Sequence, residues 1–233
     1  MVDGRAHRPT LLVTMGVMGS GKSKVFRAAG TKVGFNLDSY VSAVVDDLVT
    51  KDEDYQQNVR SILATNDLDH PSDALYQAFH DAYFTARRTP NRDGQTMDDL
   101  NDATIFATLA EGRMDLHVEL TGTVPPQWLL KASKGQYNVV LACAEVTYET
   151  AVERIHRRAL GELHRFLRDP QRNPAPRLPK LTRGALHKYG QVLRTLIDTS
   201  NERVLVYTNE GTLRLRYDSA RRGREREAAV RVG

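Results

Sequence analysis

Residues 16–23 read Gly16-Val17-Met18-Gly19-Ser20-Gly21-Lys22-Ser23. This octapeptide matches G-x-x-x-x-G-K-S/T at every fixed position, which is the pattern of a phosphate-binding loop, or P-loop. Its glycines let backbone N–H groups turn inward around phosphate oxygens with no Cβ in the way. The octapeptide lies between an apolar run at 10–15 and a helical segment that stops at Gly30. Because a strand before the loop and a helix after it are the context that supports the motif, the sequence predicts a nucleotide phosphate cradle.

The residue types within this loop indicate their ligands. Lys22 is expected to reach the β- and γ-phosphates of ATP, and Ser23 is expected to ligate Mg²⁺. The helix that follows points its positive end at the same anion. ATP and Mg²⁺ are therefore the predicted cofactors. The predicted ATP-binding residues are Gly16, Val17, Met18, Gly19, Ser20, Gly21, Lys22, Ser23 and Lys24.

Composition limits the kind of protein. The chain has 233 residues, of which 40% are hydrophobic and 27% charged, as expected for one α/β domain. No run approaches the ~18 apolar residues that cross a membrane, and the first ten residues lack the apolar stretch of a secretory signal. We therefore expect a cytoplasmic protein with no membrane partner. Cys143 is the single cysteine, which excludes a disulfide within the chain and zinc sites built from several cysteines.

The charge distribution favours an anionic ligand. Lys and Arg exceed Asp and Glu by 33 − 29 = 4, and the basic residues concentrate in the second half of the chain. Such a surface suits a polyanion such as ATP or a nucleotide sugar. A nucleic acid would suit it as well, so charge leaves that alternative open.

Apolar runs that alternate with helical segments predict the fold class. The expected architecture is an α/β P-loop NTPase/kinase fold, with a doubly wound, mostly parallel sheet of five to six strands. The predicted strands are 10–15, 32–36, 115–120, 137–143 and 204–208, followed by a hairpin strand in TLRLRYD. Predicted helices include 39–50, 147–167 and 181–200.

The predicted organisation is a single P-loop kinase domain over 1–218. It carries an all-helical insertion at about 51–113. The segment 169–180 has four prolines in twelve residues and no apolar periodicity, so it is expected to form a mobile lid at about 168–180. The basic tail 219–233 has no core-forming pattern and is expected to be flexible.

An acidic residue follows the predicted second strand. Asp38 lies in the segment Asn36-Leu37-Asp38-Ser39-Tyr40. If 32–36 is a strand, Asp38 lies at the carboxyl edge of the sheet, where ligands of open α/β sheets bind. A carboxylate there can orient an acceptor hydroxyl and take its proton during phosphoryl transfer. Asp38 could instead cap the predicted helix 39–50, and spacing alone favours the catalytic role and the capping role equally.

Several function classes share this cradle. The chain lacks an N-K-x-D motif of the GTPase type and is short for a motor, so transfer to a small acceptor is favoured. A nucleoside, nucleotide or polynucleotide 5′-hydroxyl kinase has the same fold and cradle. A nucleotide-binding module without chemistry is the alternative from another class, although Lys22, Ser23 and Asp38 form an intact set against it.

Four patches together resemble the zeta-toxin family of kinases, which phosphorylate a hydroxyl of a UDP-linked amino sugar. They cover about 150 of the 233 residues and exclude 51–113. The first two are the P-loop and the F-N-L-D-S-Y segment, and the third is His117-Val118-Glu119-Leu120-Thr121-Gly122-Thr123. The fourth is the C-terminal course from Glu153-Arg154 through Leu186-His187-Lys188 to VLVYTNEGTLRLRYDS.

The resemblance implies roles for particular residues. It makes Asp38 the catalytic base, and it makes Glu119 and Thr121 contacts of the amino-sugar acceptor. Glu119 could instead organise Mg²⁺ through water, as an acidic residue does in other P-loop kinases. Arginines are implied at the transferring phosphate, where they neutralise developing charge. These are Arg154 and Arg177, with Arg157 and Arg158 competing for the first of the two roles. An inhibitory antitoxin-like partner is also implied.

Overall fold

The computed structural model describes residues 8–65, 72–169, 172–200, 202–208 and 210–217. The basic tail predicted at 219–233 lies outside these residues. The chain forms two compact units. The first consists of Met1–Ala43, Thr104–Val146 and Arg183–Gly233, and the second consists of Val44–Ala103 and Thr147–Thr182.

The first unit contains a six-stranded sheet. Its strands are β1 (Thr10–Met15), β2 (Val41–Ala43), β3 (Leu116–Leu120), β4 (Asn138–Glu145), β5 (Arg203–Thr208) and β6 (Leu213–Tyr217). Their order is β2-β3-β1-β4-β5-β6, and only β6 pairs antiparallel within this described sheet. The predicted fold class, an α/β fold with a mostly parallel sheet, is confirmed.

Eight helices occur in the described residues. The first unit holds α1 (Lys22–Val33), α6 (Gln127–Ala132) and α8 (Arg183–Thr199), and the second holds α2 (Val45–Val49), α3 (Glu53–Thr65), α4 (Asp73–Arg88) and α7 (Tyr148–Arg168). The remaining helix, α5 (Met97–Glu111), begins in the second unit and ends in the first. No helix among the described residues has both the length and the apolar character needed to cross a bilayer.

Burial explains why β1 reads as a continuous apolar run. All six of its residues are buried, because β1 lies between β3 and β4 in the sheet. Leu12 and α1 residues Val25 and Ala29 share one core cluster with residues of β4 and β5. This packing fixes α1 on the sheet and thereby fixes the loop that joins β1 to α1.

A buried carboxylate organises the amino edge of the sheet. Asp115, which precedes β3, accepts hydrogen bonds from the backbone N–H of Thr10 at 2.6 Å and of Asn36 at 2.7 Å. Its backbone carbonyl accepts from the N–H of Val41 at 2.9 Å. One residue therefore holds the amino ends of β1 and β2 against β3.

The predicted second strand at 32–36 is wrong. Helix α1 continues to Val33 and ends at Gly34, whose left-handed backbone (φ 72°) closes the helix by donating to the Gly30 carbonyl. The edge strand beside β3 is β2. It lies inside the segment predicted as a helix at 39–50. A short apolar run fits the periodicity of a helix and that of a strand equally well. Pairing with β3 made this run a strand.

His117 on β3 is a buried neutral side chain. Only 5% of the residue is exposed, and its ring stacks on Phe26 with 4.0 Å between centroids. Its Nε2 lies 2.9 Å from the hydroxyl of Thr14. Burial lowers the pKa of His117 from 6.5 to about 4, because the charged imidazolium would lose its hydration.

This shift predicts a specific pH dependence of stability. The unfolded chain binds a proton at His117 near pH 6.5, whereas the folded chain binds it only near pH 4. The unfolding free energy therefore falls as the pH drops through this window, by up to about 3 kcal/mol. Urea unfolding at several pH values should show a smaller loss for His117→Gln than for the wild type. The control His164→Gln, at an exposed position of α7, should keep the wild-type slope. Equal slopes for all three proteins would contradict the assignment.

Candidate functional site

The loop between β1 and α1 favours glycine at three positions, because of backbone conformation at two of them and lack of space at the third. Gly19 and Gly21 adopt left-handed φ values of 75° and 87°. A Cβ added at Gly16 would lie 2.3 Å from the Ser20 hydroxyl oxygen, so the loop leaves no space there. The Ser20 N–H donates to the Val17 carbonyl at 3.2 Å and closes a tight turn. The predicted P-loop therefore has the compact geometry that its sequence pattern requires.

The start of α1 presents positive potential without a neutralising group of its own. Gly21 is the N-cap and provides no side-chain cap, and the first turn contains no acidic residue. Among the described residues, the buried Ser20 hydroxyl has no hydrogen-bond partner. Helix N–H groups and an unpartnered buried hydroxyl at one turn are the donors that a phosphate group would satisfy.

Lys22 lies folded over its own loop. Its Nζ donates to the carbonyls of Gly16 at 2.9 Å and Val17 at 3.3 Å, and it lies 3.5 Å from the Glu119 carboxylate. Both side chains of the pair are largely buried, with 11% and 21% exposed. Lys22 thus has partners that a phosphate oxygen could replace.

The two neighbours of Lys22 differ in what they contact. Ser23 is exposed in the first turn of α1, as a metal-ligating hydroxyl would be. The Lys24 side chain forms an ion pair with Glu210 at 2.6 Å, at the turn before β6. The Lys24 side chain therefore pairs outside the loop 16–21, and ATP binding by Lys24 stays a prediction.

The carboxyl end of β3 lies beside the P-loop. The Gly16 N–H donates to the Leu120 carbonyl at 3.2 Å, which extends the β1–β3 ladder into the loop. Glu119 contacts Lys22, and Thr121 is exposed with its hydroxyl 3.4 Å from that of Thr123. The sequence prediction that Glu119 and Thr121 lie near the cradle agrees with this placement, although their ligands stay predictions.

Asp38 lies at the opposite edge of the sheet. It precedes β2, and its N–H donates to the side-chain oxygen of Asn36, whose own N–H is held by Asp115 at the amino edge. The six residues of β1 separate this edge from the P-loop by about 17 Å. The structure therefore does not place Asp38 beside the cradle, which is a difference from the sequence expectation. Its cause is the misassigned strand at 32–36.

The predicted phosphate-facing arginines all belong to the second unit. Arg154 is half-buried on α7. Arg157 pairs with Glu153, and Arg158 pairs with Glu162, each one turn away on the same helix. A role of Arg154 or Arg158 at a phosphate stays a prediction.

Arg177 is committed to contacts within the second unit. Its guanidinium forms an ion pair with Asp46, and its side chain is only 16% exposed. Burial by itself lowers the pKa of Arg177, but the charges of Asp46 and Glu162 outweigh burial and raise it. Tyr83 donates a hydrogen bond to the same Asp46 carboxylate, and burial together with Asp46 raises the pKa of Tyr83 above its usual value.

The segment around Arg177 is also packed. The Ala175 N–H donates to the Thr50 carbonyl at 3.1 Å, and the Tyr55 hydroxyl donates to the Pro176 carbonyl at 2.9 Å. Ala175 and Leu178 are buried. These contacts hold part of the segment 172–180 in place, and the mobile lid expected at about 168–180 stays a prediction. The proline spacing hid these contacts because they are isolated side chains without a helical or strand period.

Sequence analysis missed two carboxylates. Asp46 and Asp47 follow the last residue of β2, Ala43, by three and four positions. Their signal was an acidic pair directly after the apolar run 41–45, which was read as part of a helix. Because β2 runs parallel to β1 and β3, its last residue, Ala43, lies at the carboxyl edge of the sheet.

Comparison with known proteins supports the fold. Neither a protein-family profile nor a curated protein matches the sequence. A structure from the PezAT chromosomal toxin–antitoxin system of Streptococcus pneumoniae is similar, with 11% identity and a TM-score of 0.56. The match covers 92% of this chain and 74% of that one.

Two further structures are more distant. The Pnkp1/Rnl/Hen1 RNA repair complex shares 15% identity over 85% of this chain and 48% of that chain, with a TM-score of 0.42. A gluconokinase from Sinorhizobium meliloti 1021 shares 20% identity over 84% and 99%, with a TM-score of 0.32. Neither likeness is close enough to carry an argument.

The sheet order and the P-loop define a P-loop kinase fold. The fold is similar to that of the PezAT structure. An identity of 11% establishes the fold alone, so activity is argued from the site.

The Arg177–Asp46 ion pair predicts a stability effect. Arg177→Ala should lower the unfolding free energy by about 2–3 kcal/mol, because Asp46 would be left without its cation in a largely buried place. Arg177→Ala/Asp46→Ala should recover part of the loss. Arg157→Ala is the control, since its pair is exposed and should matter by less than about 0.5 kcal/mol.

Hydrogen exchange separates this anchoring role from that of a mobile lid. Amides at 172–180 should exchange slowly in the ligand-free protein and quickly in Arg177→Ala. Fast exchange in the free wild type, together with unchanged stability of Arg177→Ala, would support the mobile lid that the sequence predicts.

Proposed function

We propose that this protein is an ATP-dependent phosphotransferase that moves the γ-phosphoryl group of ATP to a hydroxyl of a small acceptor. The observation that carries the proposal is the loop at 16–21. It combines left-handed glycines, an uncapped helix start, an unpartnered buried hydroxyl and a lysine folded over the loop. These groups match the donors that hold nucleotide phosphates.

The cradle also fits Mg²⁺. No group of three or more His, Cys, Asp and Glu side chains in the described ranges is arranged to hold a metal. Independently of that finding, Mg²⁺ in nucleotide sites keeps several waters and is bound by few protein ligands together with phosphate oxygens. Ser23 would hold the ion directly, and Glu119 could hold it through water. When bound, Mg²⁺ neutralises charge on the β- and γ-phosphates.

Lys22 is the residue whose contacts change on nucleotide binding. In the described structure it donates to two loop carbonyls and neutralises Glu119. Phosphate oxygens would replace these partners because they accept charge-assisted hydrogen bonds. Glu119 would then be released to contact the acceptor or a metal-bound water. Its position at the end of β3 is compatible with either role.

Because Asp38 lies near the amino edge of the sheet, Asp47 is our candidate for the base that takes the acceptor proton. It follows the carboxyl end of β2, and its side chain is exposed. Asp46 already accepts from Tyr83 and pairs with Arg177, so it is less available to a substrate. A carboxylate in this role orients the hydroxyl and receives its proton as the phosphoryl group transfers.

A UDP-amino sugar is the favoured acceptor. The support is the resemblance of the segment 117–123 to the zeta-toxin family, together with the exposed Thr121 beside the P-loop. Arg154 and Arg158 are proposed to neutralise the transferring group, as the same resemblance implies. An inhibitory antitoxin-like partner is proposed on the likeness to a toxin–antitoxin structure.

Phosphoryl transfer can be tested with γ-labelled ATP and a panel of acceptors. The panel contains UDP-amino sugars, nucleosides, nucleotides and polynucleotides with a 5′-hydroxyl. Label on the sugar nucleotide would support the favoured acceptor. Label on a 5′-hydroxyl would instead support a nucleoside, nucleotide or polynucleotide 5′-hydroxyl kinase. Nucleotide binding with no labelled product and no ATP consumption in a metabolite extract would favour a binding module.

Lys22→Ala should abolish transfer and leave the fold intact. The ammonium contacts two loop carbonyls and Glu119 and is not part of the apolar core, while its charge acts on the phosphates. Transfer should fall at least about a hundredfold, as for loss of one preorganised charge donor. Lys32→Ala, in the exposed last turn of α1, is the matched control and should keep wild-type activity. Retention of a tenth of the activity or more in Lys22→Ala would contradict a catalytic P-loop.

Asp47→Asn should lower kcat by at least about a hundredfold with little change in ATP affinity, because it removes the proton acceptor alone. Asp38→Asn should stay within about twofold of the wild type, since Asp38 lies at the other edge of the sheet. Asp46→Asn should mainly reduce stability by releasing Arg177. If Asp46→Asn abolishes kcat in a folded protein and Asp47→Asn does not, the base is Asp46.

A further inference from the structure

A buried tyrosine of α8 lies across the carboxyl ends of the central strands. Only 3% of Tyr189 is exposed. Its hydroxyl donates to the carbonyl of Met15 at 3.2 Å, and Met15 is the last residue before the P-loop. The thiol of Cys143, at the same register on β4, is a further hydrogen-bonding neighbour of this hydroxyl. Tyr189 therefore contacts the end of β1 and the end of β4 together.

The ring of the same tyrosine packs against the turn after β3. A Cβ built on Gly122 would lie 2.8 Å from the Cδ2 and 2.9 Å from the Cε2 of Tyr189. Gly122 also has a left-handed φ of 72°, which side chains rarely adopt. This turn directly follows Thr121 and precedes Thr123. Close ring-to-backbone packing thus determines where both threonines lie.

We propose that Tyr189 is a positioning residue that holds the turn 121–123 and the P-loop in register. Its hydroxyl anchors the backbone where the loop begins, and its ring supports the turn that carries the acceptor-side threonines. The inference rests on the proposed function, since it names the device that aligns acceptor and phosphate groups. Small displacements of reacting groups are costly, so such a support contributes to kcat.

Tyr189 is not itself an acid or a base in the reaction. Burial raises the pKa of its hydroxyl well above the usual value. The hydroxyl proton is also used in the bond to the Met15 carbonyl. The same burial raises the pKa of the Cys143 thiol to about 12, so this thiol stays neutral. The contribution is therefore geometric.

Tyr189→Phe is the variant that tests the hydroxyl, because it keeps the ring against Gly122. Its kcat should fall about tenfold, the effect of losing one buried hydrogen bond at an aligned site. The acceptor KM should stay within about twofold, since the turn remains packed. Tyr189→Leu removes the ring as well and should also raise the acceptor KM.

Tyr207→Phe is the matched control. Tyr207 on β5 is also buried in the first unit, but its hydroxyl has no hydrogen-bond partner within the described ranges. Its removal should leave kcat and KM unchanged. A merely structural role of Tyr189 would lower Tm in Tyr189→Phe without moving kcat, and that result would overturn the proposal.

Hydrogen exchange tests the contacts of Tyr189 with the P-loop and the turn 121–123, and it needs no acceptor. In Tyr189→Phe, amides of 16–21 and 120–123 should exchange faster than in the wild type, while those of β5 should not change. Unchanged exchange at both segments would overturn the positioning role even if the wild type is an active kinase. Faster exchange in a protein that phosphorylates no acceptor would uphold the positioning role and reject the proposed function.

Discussion

The candidate site depends on the turn that leads from β1 into α1. This turn must reverse the chain within a few residues while β1 stays buried between two strands and α1 stays packed on the sheet. Glycine makes this possible at three positions. Gly19 and Gly21 adopt left-handed backbone, and Gly16 lies where a Cβ would have no space. The same geometry directs the uncapped N–H groups of α1 toward one point. Tight packing and the proposed binding of phosphate are thus two consequences of one constraint.

Buried polar contacts hold the sheet at both edges. At the amino edge, Asp115 accepts from backbone groups that lead into β1 and β2. At the carboxyl edge, Tyr189 donates to the end of β1 and packs on the turn after β3. Each of these hydrogen bonds joins residues more than 70 positions apart. Parallel strands need such anchors because their connections are long and leave strand ends without local partners.

The second unit uses the same principle in a different form. An ion pair between Asp46 and Arg177 links α2 to the proline-rich segment after α7, and Tyr83 and Tyr55 donate hydrogen bonds nearby. A proline-rich segment with no periodicity is held by this network rather than by an apolar stripe. Charge pairing of this kind tolerates irregular backbone because it needs only a few well-placed atoms.

The sequence by itself determined what depends on local geometry. The P-loop, Lys22 and the strand β1 follow from residue types at fixed spacing, and long apolar or amphipathic runs located β3, β4, β5, α7 and α8 to within a few residues. Tertiary structure decided what depends on pairing between distant segments. The run 41–45 became a strand and a short helix because β3 offered it an edge, and this moved Asp38 away from the cradle. Arg177 found Asp46, and Tyr189 found Met15, across more than 130 residues each. No periodic pattern in the sequence records such single contacts, since each depends on how the folded chain brings two isolated residues together.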